Sequence, residues 1–210
     1  MEAQAPLDRK TYEWLKRAVD ISFVMALMPA ILPVMLLVTL LIYLDDREKV
    51  FFMQPRTGYG GKRFMMYKFR TMRSGSKSVP PTVVIAPDGS VRYAWPEKVE
   101  NDMRITRVGR ILRKTSLDEL PQLLNILKGD MTLVGPRPTT WNLDMYTSHQ
   151  TARLGMRPGI TGLWQVSARD ATNFDERLIW DLKYIEKACL WMDVKIVYLT
   201  VMGVFQKAGV

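Results

Sequence analysis

The polarity pattern of the chain is dominated by one apolar run. From Ile21 to Leu44 no residue is charged, and Leu, Ile, Val and Met prevail. At about two dozen residues the run passes the length that marks a candidate membrane helix. A secretory signal has a shorter apolar core and a small-residue cleavage site. Neither is evident, so the segment is expected to stay in the mature protein. Pro29 and Pro33 lie inside it. Each removes a helical hydrogen bond and crowds the preceding turn, which predicts a bend or break on one face. Arg9, Lys10, Lys16 and Arg17 precede the run, and Arg47, Lys49, Arg56, Lys62, Arg63, Lys68 and Arg70 follow it. Positive flanks favour the cytoplasmic side, and Asp45, Asp46 and Glu48 weigh little in that rule. Both ends are therefore expected on the cytoplasmic side. A helix broken at its prolines that enters the bilayer and returns, and a kinked spanning helix, both stay open. A buried core helix of a soluble protein fits poorly at this length.

Downstream the pattern shortens. Val50–Gln54 and Arg63–Met72 read as strands around a glycine-rich turn at Thr57–Gly61, where glycine supplies positive φ. Ser74–Pro81 reads as a loop. Val83–Ile85 and Val91–Trp95, around Pro87–Ser90, read as a second short hairpin. Apolar residues at helical spacing predict helices over Arg107–Lys114 and Ser116–Leu127, the latter ended by Gly129. Met131–Pro138 is predicted as a strand running into a Gly-Pro-Arg-Pro turn, Leu143–Arg153 as a helix, and Arg157–Gly162 as a loop. Phe174–Ala188 is predicted as an amphipathic helix. Trp191–Phe205 is predicted as a helix that either caps the core or lies at a membrane interface, with Trp191, Lys195, Tyr198 and Lys207 available there. The resulting fold class is α/β: a small mixed domain of helices and short strands (49–210) behind an N-terminal membrane-associated region (1–48).

Composition narrows the partners. The chain has 210 residues, 48% hydrophobic and 24% charged, ordinary for one folded domain with an appendage. A single cysteine excludes an internal disulfide framework and a cysteine-rich zinc site, and a single histidine excludes a histidine metal cluster. A net charge of +9 points to something anionic: nucleic acid, lipid headgroups or phosphorylated substrates. The apolar run favours anionic membrane lipids, at about 1 kcal/mol per suitably placed Lys or Arg.

Candidate chemistry gathers at Leu112-Arg-Lys-Thr-Ser-Leu-Asp-Glu-Leu-Pro-Gln122. Taken alone, Ser116-Leu-Asp-Glu119 is a common capping box. Pro121 complicates that, because proline sits most easily in a first turn, so the helix start can equally fall near Leu117 or Asp118. Either start puts two carboxylates at a helix N-terminus, where free N–H groups favour anions and accept phosphate. That location would hold Asp118 ionised, as a nucleophile requires. Adjacent helical residues point about 100° apart, so Asp118 and Glu119 suit two separate roles. Arg110, Arg113 and Lys114 supply the positive charge a phosphoryl group needs. A magnesium ion between carboxylate and phosphates is expected.

Several blocks together resemble the bacterial sugar transferases known as monotopic phosphoglycosyl transferases: Lys68-Phe-Arg-Thr-Met72, Ile105-Thr-Arg-Val-Gly109, Ser116-Leu-Asp-Glu-Leu-Pro-Gln122, Gly129-Asp-Met131, Val134-Gly-Pro-Arg-Pro138 and Pro158-Gly-Ile-Thr-Gly162. The resemblance covers nearly the whole chain, from about Lys16 onward. It implies transfer of a sugar 1-phosphate from a UDP-sugar to polyprenol (undecaprenyl) phosphate, with release of UMP and formation of a lipid-linked sugar diphosphate, at the cytoplasmic face of a bacterial inner membrane. By the same resemblance Asp118 is the nucleophile and a magnesium ligand, forming a covalent phosphosugar intermediate, and Glu119 is its dyad partner. Arg113 and Arg137 match the basic positions around the phosphate, with Lys68 and Arg70 as further contacts. The family's membrane helix breaks near a Ser-Pro pair; here the matching proline is Pro33, preceded by Leu32 rather than serine, with Pro29 as an extra break. Downstream glycosyltransferases and a homo-oligomer are left open as partners.

Other residues draw plainer readings. His149 is expected at the surface and Cys189 buried and inert. Trp164 and Trp180 are expected as packing or interface anchors, and Gly159 and Gly162 as shapers of a turn. Asp170, Asp175, Asp181 and Asp193 are expected as surface or cap residues, with Asp181 worth testing. A nucleic-acid binder would account for the charge but not for the apolar run or the dyad. A non-catalytic basic membrane adaptor would account for the anchor but not for the dyad.

Overall fold

The computed structural model describes residues 8–73, 75–76, 82–85, 91–94, 102–168 and 174–208. Most of Ser74–Pro81, the Pro87–Ser90 turn, Trp95 and Asp170 fall outside them.

Helix α1 (Arg9–Asp46) begins where the Asp8 side chain accepts from the N–H groups of Lys10 and Thr11. It ends at Arg47, which turns left-handed at φ 52° and returns its N–H to the Tyr43 carbonyl. The helix runs through both prolines and is not interrupted at either. Its contacts with the rest of the chain follow a single stripe. Tyr12, Lys16, Asp20 and Val24 are buried; Met28, Ile31 and Met35 are partly buried; Val38 and Ile42 are buried. Spacings of three and four keep these positions on one side of an α-helix. The opposite side exposes Phe23, Met25, Leu32, Leu36, Leu37, Leu40 and Leu44. Only 11% of its most apolar window is buried, so α1 is not a soluble core helix.

Strands β1 (Phe51–Thr57) and β2 (Arg63–Phe69) form an antiparallel hairpin, with Phe51 opposite Phe69 and Thr57 opposite Arg63. The turn between them has Gly60 and Gly61 at φ +61° and +79°, a region that glycine enters without steric cost. Strands β3 (Thr82–Ile85) and β4 (Val91–Ala94) pair antiparallel, as the sequence pattern predicts. Helix α2 (Arg107–Thr115) is capped by the Thr106 hydroxyl, which accepts from the Gly109 N–H.

The helix expected over Ser116–Leu127 divides. Leu117–Glu119 is one 3₁₀ turn, and α3 (Gln122–Lys128) starts only after Pro121. Proline has no N–H to bond to the Leu117 carbonyl; Leu120 takes that carbonyl instead, in the tighter i→i+3 pattern. The Ser116 side chain makes no capping bond, and its backbone is left-handed at φ 59°, so the capping-box reading fails. Gly129 ends α3 at φ +93°, as expected.

Strand β5 (Thr132–Val134) pairs in parallel with β6 (Gly159–Thr161), where a loop was expected. A three-residue strand carries no alternation to read, and its partner lies far away in sequence. The single helix expected over Leu143–Arg153 is a 3₁₀ turn at Leu143–Met145, a short α4 (Ser148–Thr151) and a second 3₁₀ turn at Ala152–Gly155. Tyr146, extended at ψ 138°, breaks it, and a Thr147–Gln150 capping box restarts it. The break lets Tyr146 bury against Trp141 and Leu154. The chain ends with α5 (Leu163–Ser167), α6 (Phe174–Lys187) and α7 (Leu190–Ala208).

Both ends of α1 hold on to this domain. Arg9 donates to the Gly155 carbonyl at 2.6 Å. Lys16 pairs with Asp193 on α7 at 2.8 Å, where Tyr12 and Tyr184 also bond the same carboxylate. Arg17 caps the C-terminus of α3 through the carbonyls of Ile126 and Leu127. At the other end Asp46 pairs with Arg70 of the segment after β2. Two of the basic residues ahead of the apolar run, Lys16 and Arg17, are therefore engaged inside the fold. Asp193, expected as a surface or cap residue, lies in the first turn of α7 and is buried, where it compensates Lys16.

Candidate active site

The 3₁₀ turn between α2 and α3 presents Asp118 and Glu119 to a cleft of about 600 Å³, which Arg113 and Arg137 also line. Four pieces of chain converge there, each for a local reason. Glycine 109 brings α2 against the segment after β2: a Cβ at that position would lie 2.2 Å from the Thr71 carbonyl oxygen. Arg113, one turn further on, donates to the Thr71 hydroxyl at 2.8 Å. Asn125, fully buried in α3, bonds the edge of β2 away from β1, accepting from the Tyr67 N–H and donating to the Met65 carbonyl. This clamp sets Lys68 beside the dyad. Arg137 is carried by the turn after β5, where Gly135 donates to the Thr161 carbonyl at 2.9 Å and Gly159 to the Pro136 carbonyl at 3.0 Å.

The two carboxylates have different surroundings. Glu119 accepts from Lys68 at 2.7 Å and is gripped by both terminal nitrogens of Arg137. Burial pushes its carboxyl up, but Arg137 and Lys68 outweigh that and bring it down to about 2. Asp118 accepts no hydrogen bond from the described residues, and its nearest cation is Lys68 at 3.9 Å. Burial holds its carboxyl above the ordinary carboxylate range, and the charge of Lys68 draws it back. The groups that favour its ionised form are the neighbouring cations, Lys68 first and then Arg113 and Arg137, while the helix N-terminus that the sequence suggested lies after Pro121. Burial also lowers the Lys68 ammonium, partly offset by the attraction of Glu119.

A second ring of residues stands behind Arg137, of which only Asp181 was singled out from the pattern of residues. Arg153 donates to the Arg137 backbone carbonyl at 2.8 Å and to Asp181 at 2.6 Å. Asp181 is buried, not a surface residue, and burial raises its carboxyl to about 6 against the pull of Arg153. Arg56 donates to the Pro138 carbonyl and to Gln54; burial, and then the charge of Arg137, lower it to about 10. The only sequence-level sign of Asn125 is a polar residue inside a leucine-rich helix.

Of the predicted site residues, Asp118, Glu119, Arg113, Arg137 and Lys68 come together. Arg70 does not: its guanidinium pairs with Asp46 and bonds the Lys49 carbonyl. Pro29 and Pro33 lie within α1, exposed, and are not among the residues that line the cleft. Trp164 lines the cleft with the Arg177 guanidinium 4.9 Å from its ring centre. Trp180 carries Lys183 over its ring. His149 is exposed, as expected. Cys189 is exposed rather than buried, because it falls in the short link between α6 and α7. Gly162 packs on Gly135, where a Cβ would lie 2.4 Å from the carbonyl oxygen.

Among the described residues no three His, Cys, Asp or Glu side chains converge as a metal cluster. Magnesium commonly needs only one or two carboxylates beside substrate phosphates. Asp118, the one dyad carboxylate not already gripped by cations, fits that requirement.

Comparison with known proteins now decides the family. The bacterial sugar transferase family model matches residues 11–207. The chain belongs to that family. Exopolysaccharide production protein ExoY of Rhizobium meliloti is 38% identical over 196 residues, which are 92% of this chain and 87% of that protein. The UDP-glucose:undecaprenyl-phosphate glucose-1-phosphate transferase of Caulobacter vibrioides is 42% identical over 205 residues, 93% of this chain and 72% of the relative. The undecaprenyl-phosphate galactose phosphotransferase of Salmonella typhimurium is 39% identical across 100% of this chain. This sugar transferase chain spans only 44% of that relative's length.

Proposed function

We propose that the chain is a phosphoglycosyl transferase that moves a sugar 1-phosphate from a UDP-sugar to undecaprenyl phosphate. The observation that carries the reading is the asymmetry of the dyad: Asp118 faces the cleft with no hydrogen bond from the described residues, while its neighbour Glu119 is bound to Lys68 and Arg137. Relatives named for undecaprenyl-phosphate sugar phosphate transfer support the general reaction.

An Asp118 oxygen attacks the phosphorus nearest the sugar. The bond to the UMP oxygen breaks, UMP leaves, and an aspartyl phosphosugar remains. A phosphate oxygen of the polyprenol acceptor then attacks the same phosphorus, the aspartyl bond breaks, and the carboxylate is regenerated. No external oxidant or proton source is needed, since a phosphate leaves and a phosphate enters. Arg113 and Arg137 face the charge that builds on the phosphoryl oxygens. Glu119, held ionised, acts by positioning Lys68 and Arg137 rather than by carrying protons. Magnesium, held by Asp118 and the substrate phosphates, would supply further charge neutralisation.

We place α1 in the cytoplasmic leaflet and the domain that follows it on the cytoplasmic face. What supports this is that the two ends of α1 bind one domain, at Gly155 and at Arg70, while its apolar side is exposed. A helix whose ends grip the same body does not leave them on opposite sides of a bilayer. Re-entry at Pro29 and Pro33 is the form of this reading in which α1 bends at the missing hydrogen bonds.

Purified protein in detergent, given a UDP-sugar alone, should release one UMP per active site and carry a phosphosugar on Asp118 by mass spectrometry. Asp118→Asn should do neither, and chelation of magnesium should stop release. An adduct elsewhere, or turnover without Asp118, refutes the mechanism. Cysteines introduced near Arg9 and Asp46 should both label from the cytoplasmic side only.

A further inference from the structure

The cleft beside the dyad is larger than the phosphoryl chemistry requires, and its walls are of two kinds. At about 600 Å³ it has the size of a small-molecule pocket. Its lining includes three guanidinium groups: Arg113 and Arg137, whose charges act on Asp118, and Arg177, which lies over Trp164. The remainder is mostly apolar, with Ser116, Thr161, Gln165 and Thr200 as its polar side chains and the Thr161 and Thr200 hydroxyls bonded to each other. Leu120, Leu133 and Ile160 form one side, and Val197, Val201 and Val204 of α7 form the other. From Val197 to Val204 the helix rises about 10 Å, a strip that offers side-chain hydrocarbon to any occupant. Val201 is also 47% exposed. It adjoins Val194, Tyr198 and Met202 on the outer surface of α7, all exposed. The cleft wall therefore continues into an apolar surface.

From this juxtaposition we infer that the strip along α7 seats the first isoprene units of the polyprenyl phosphate acceptor, with its phosphate at Arg113 and Arg137. The inference rests on the functional reading above and adds the place of the lipid chain. A nucleotide sugar is polar along its whole length and would leave its hydroxyls and carbonyls unpaired against Leu133, Val197 and Val201, at a desolvation cost. A prenyl phosphate has the matching sequence of groups: an anion at one end, then branched hydrocarbon. The continuation of the strip through Val201 into the exposed side of α7 gives the rest of the chain a route to lipid. Both substrates still present their phosphorus to Asp118, in turn: UMP must leave Arg113 and Arg137 before the acceptor phosphate meets them. The apolar strip belongs only to the second step.

That separation sets the test. Val201→Trp and, independently, Val197→Phe fill the strip while keeping it apolar. The UMP burst with UDP-sugar alone reports the first step and also shows that the variant is folded. The expected result is an unchanged burst, with KM for polyprenol phosphate raised about tenfold or more, the scale of a misfitted hydrophobic pocket. Prenyl phosphates of increasing length should bind wild type progressively better over the first few units, and the variants should lose that dependence. A burst that slows as much as the acceptor step would assign the strip to the donor and overturn the inference. So would an unchanged acceptor KM in both variants. If wild type shows no burst with any UDP-sugar, the functional reading fails instead. Equilibrium binding of polyprenyl phosphate to the same proteins then decides the strip alone: weaker binding by both variants supports it, and equal binding overturns it.

Discussion

Replacing Glu119 with glutamine removes one charge and should redirect another. In the wild-type site Lys68 lies 2.7 Å from Glu119 and 3.9 Å from Asp118. Glu119 thus draws the ammonium away from the carboxylate that must attack. A glutamine amide holds an ammonium weakly, so in the variant Lys68 should close on Asp118. Bringing unit charges from 3.9 Å to a typical ion-pair distance near 2.8 Å gains about 1.7 kcal/mol at an effective dielectric near 20. That energy must be returned before Asp118 can attack, which corresponds to a burst of UMP slower by about one order of magnitude. Single-turnover release with excess enzyme measures this step without the acceptor. The decisive control is the same substitution in a Lys68→Met background. With no ammonium to capture Asp118, the added cost of Glu119→Gln should shrink to a few-fold. Equal fold losses in both backgrounds, or a full-speed burst in the single variant, would show that Glu119 does not work through Lys68.

The remaining predictions concern the supports of the site. Asp181 has a folded value of about 6 against an ordinary 3.8, so its contribution to stability is complete below 3.8 and lost as pH climbs through about 6. Two units correspond to about 3 kcal/mol, and denaturant unfolding between pH 4 and 7 should show that slope in wild type and a flatter one in Asp181→Asn. Arg70→Gln should leave the donor KM unchanged but reduce stability by about 2 kcal/mol, because Arg70 ties α1 to the end of β2 and not to substrate; a raised donor KM would return it to the site. Gly159→Ala would place a Cβ 2.1 Å from the Gly135 nitrogen. It should cost about 1–3 kcal/mol by thermal unfolding and slow the burst by displacing the turn that carries Arg137.

Much of the site was legible because its chemistry is local. Asp118, Glu119 and Arg113 lie within seven residues, and their types alone suggest an anion site. The hairpin of β1 and β2, the extent of α2 and the stop at Gly129 follow from a glycine-rich turn between strand-like runs, apolar residues at helical spacing and a helix-ending glycine, which act over a few residues. Pro121 suggested a helix start near Leu117 or Asp118, but that segment is a 3₁₀ turn and α3 begins only at Gln122, which required seeing which donor replaced the missing N–H.

What the sequence determined by itself is the long apolar helix, the mixed α/β class, and a pair of carboxylates beside basic residues, since each depends on neighbours in the chain. The tertiary structure decided everything that depends on distance between remote segments. Nothing local distinguishes Lys68, which reaches the dyad, from Arg70, which pairs with Asp46. Nothing local says that Asp193 and Lys16 compensate each other in the interior, or that Asp181 stands behind Arg137 through Arg153. Strand β6 exists only because β5 lies beside it. Burial makes the difference in each case: the same side chain is a solvated surface charge or an obligatory ion-pair partner according to what packs over it, and packing is a property of the whole chain.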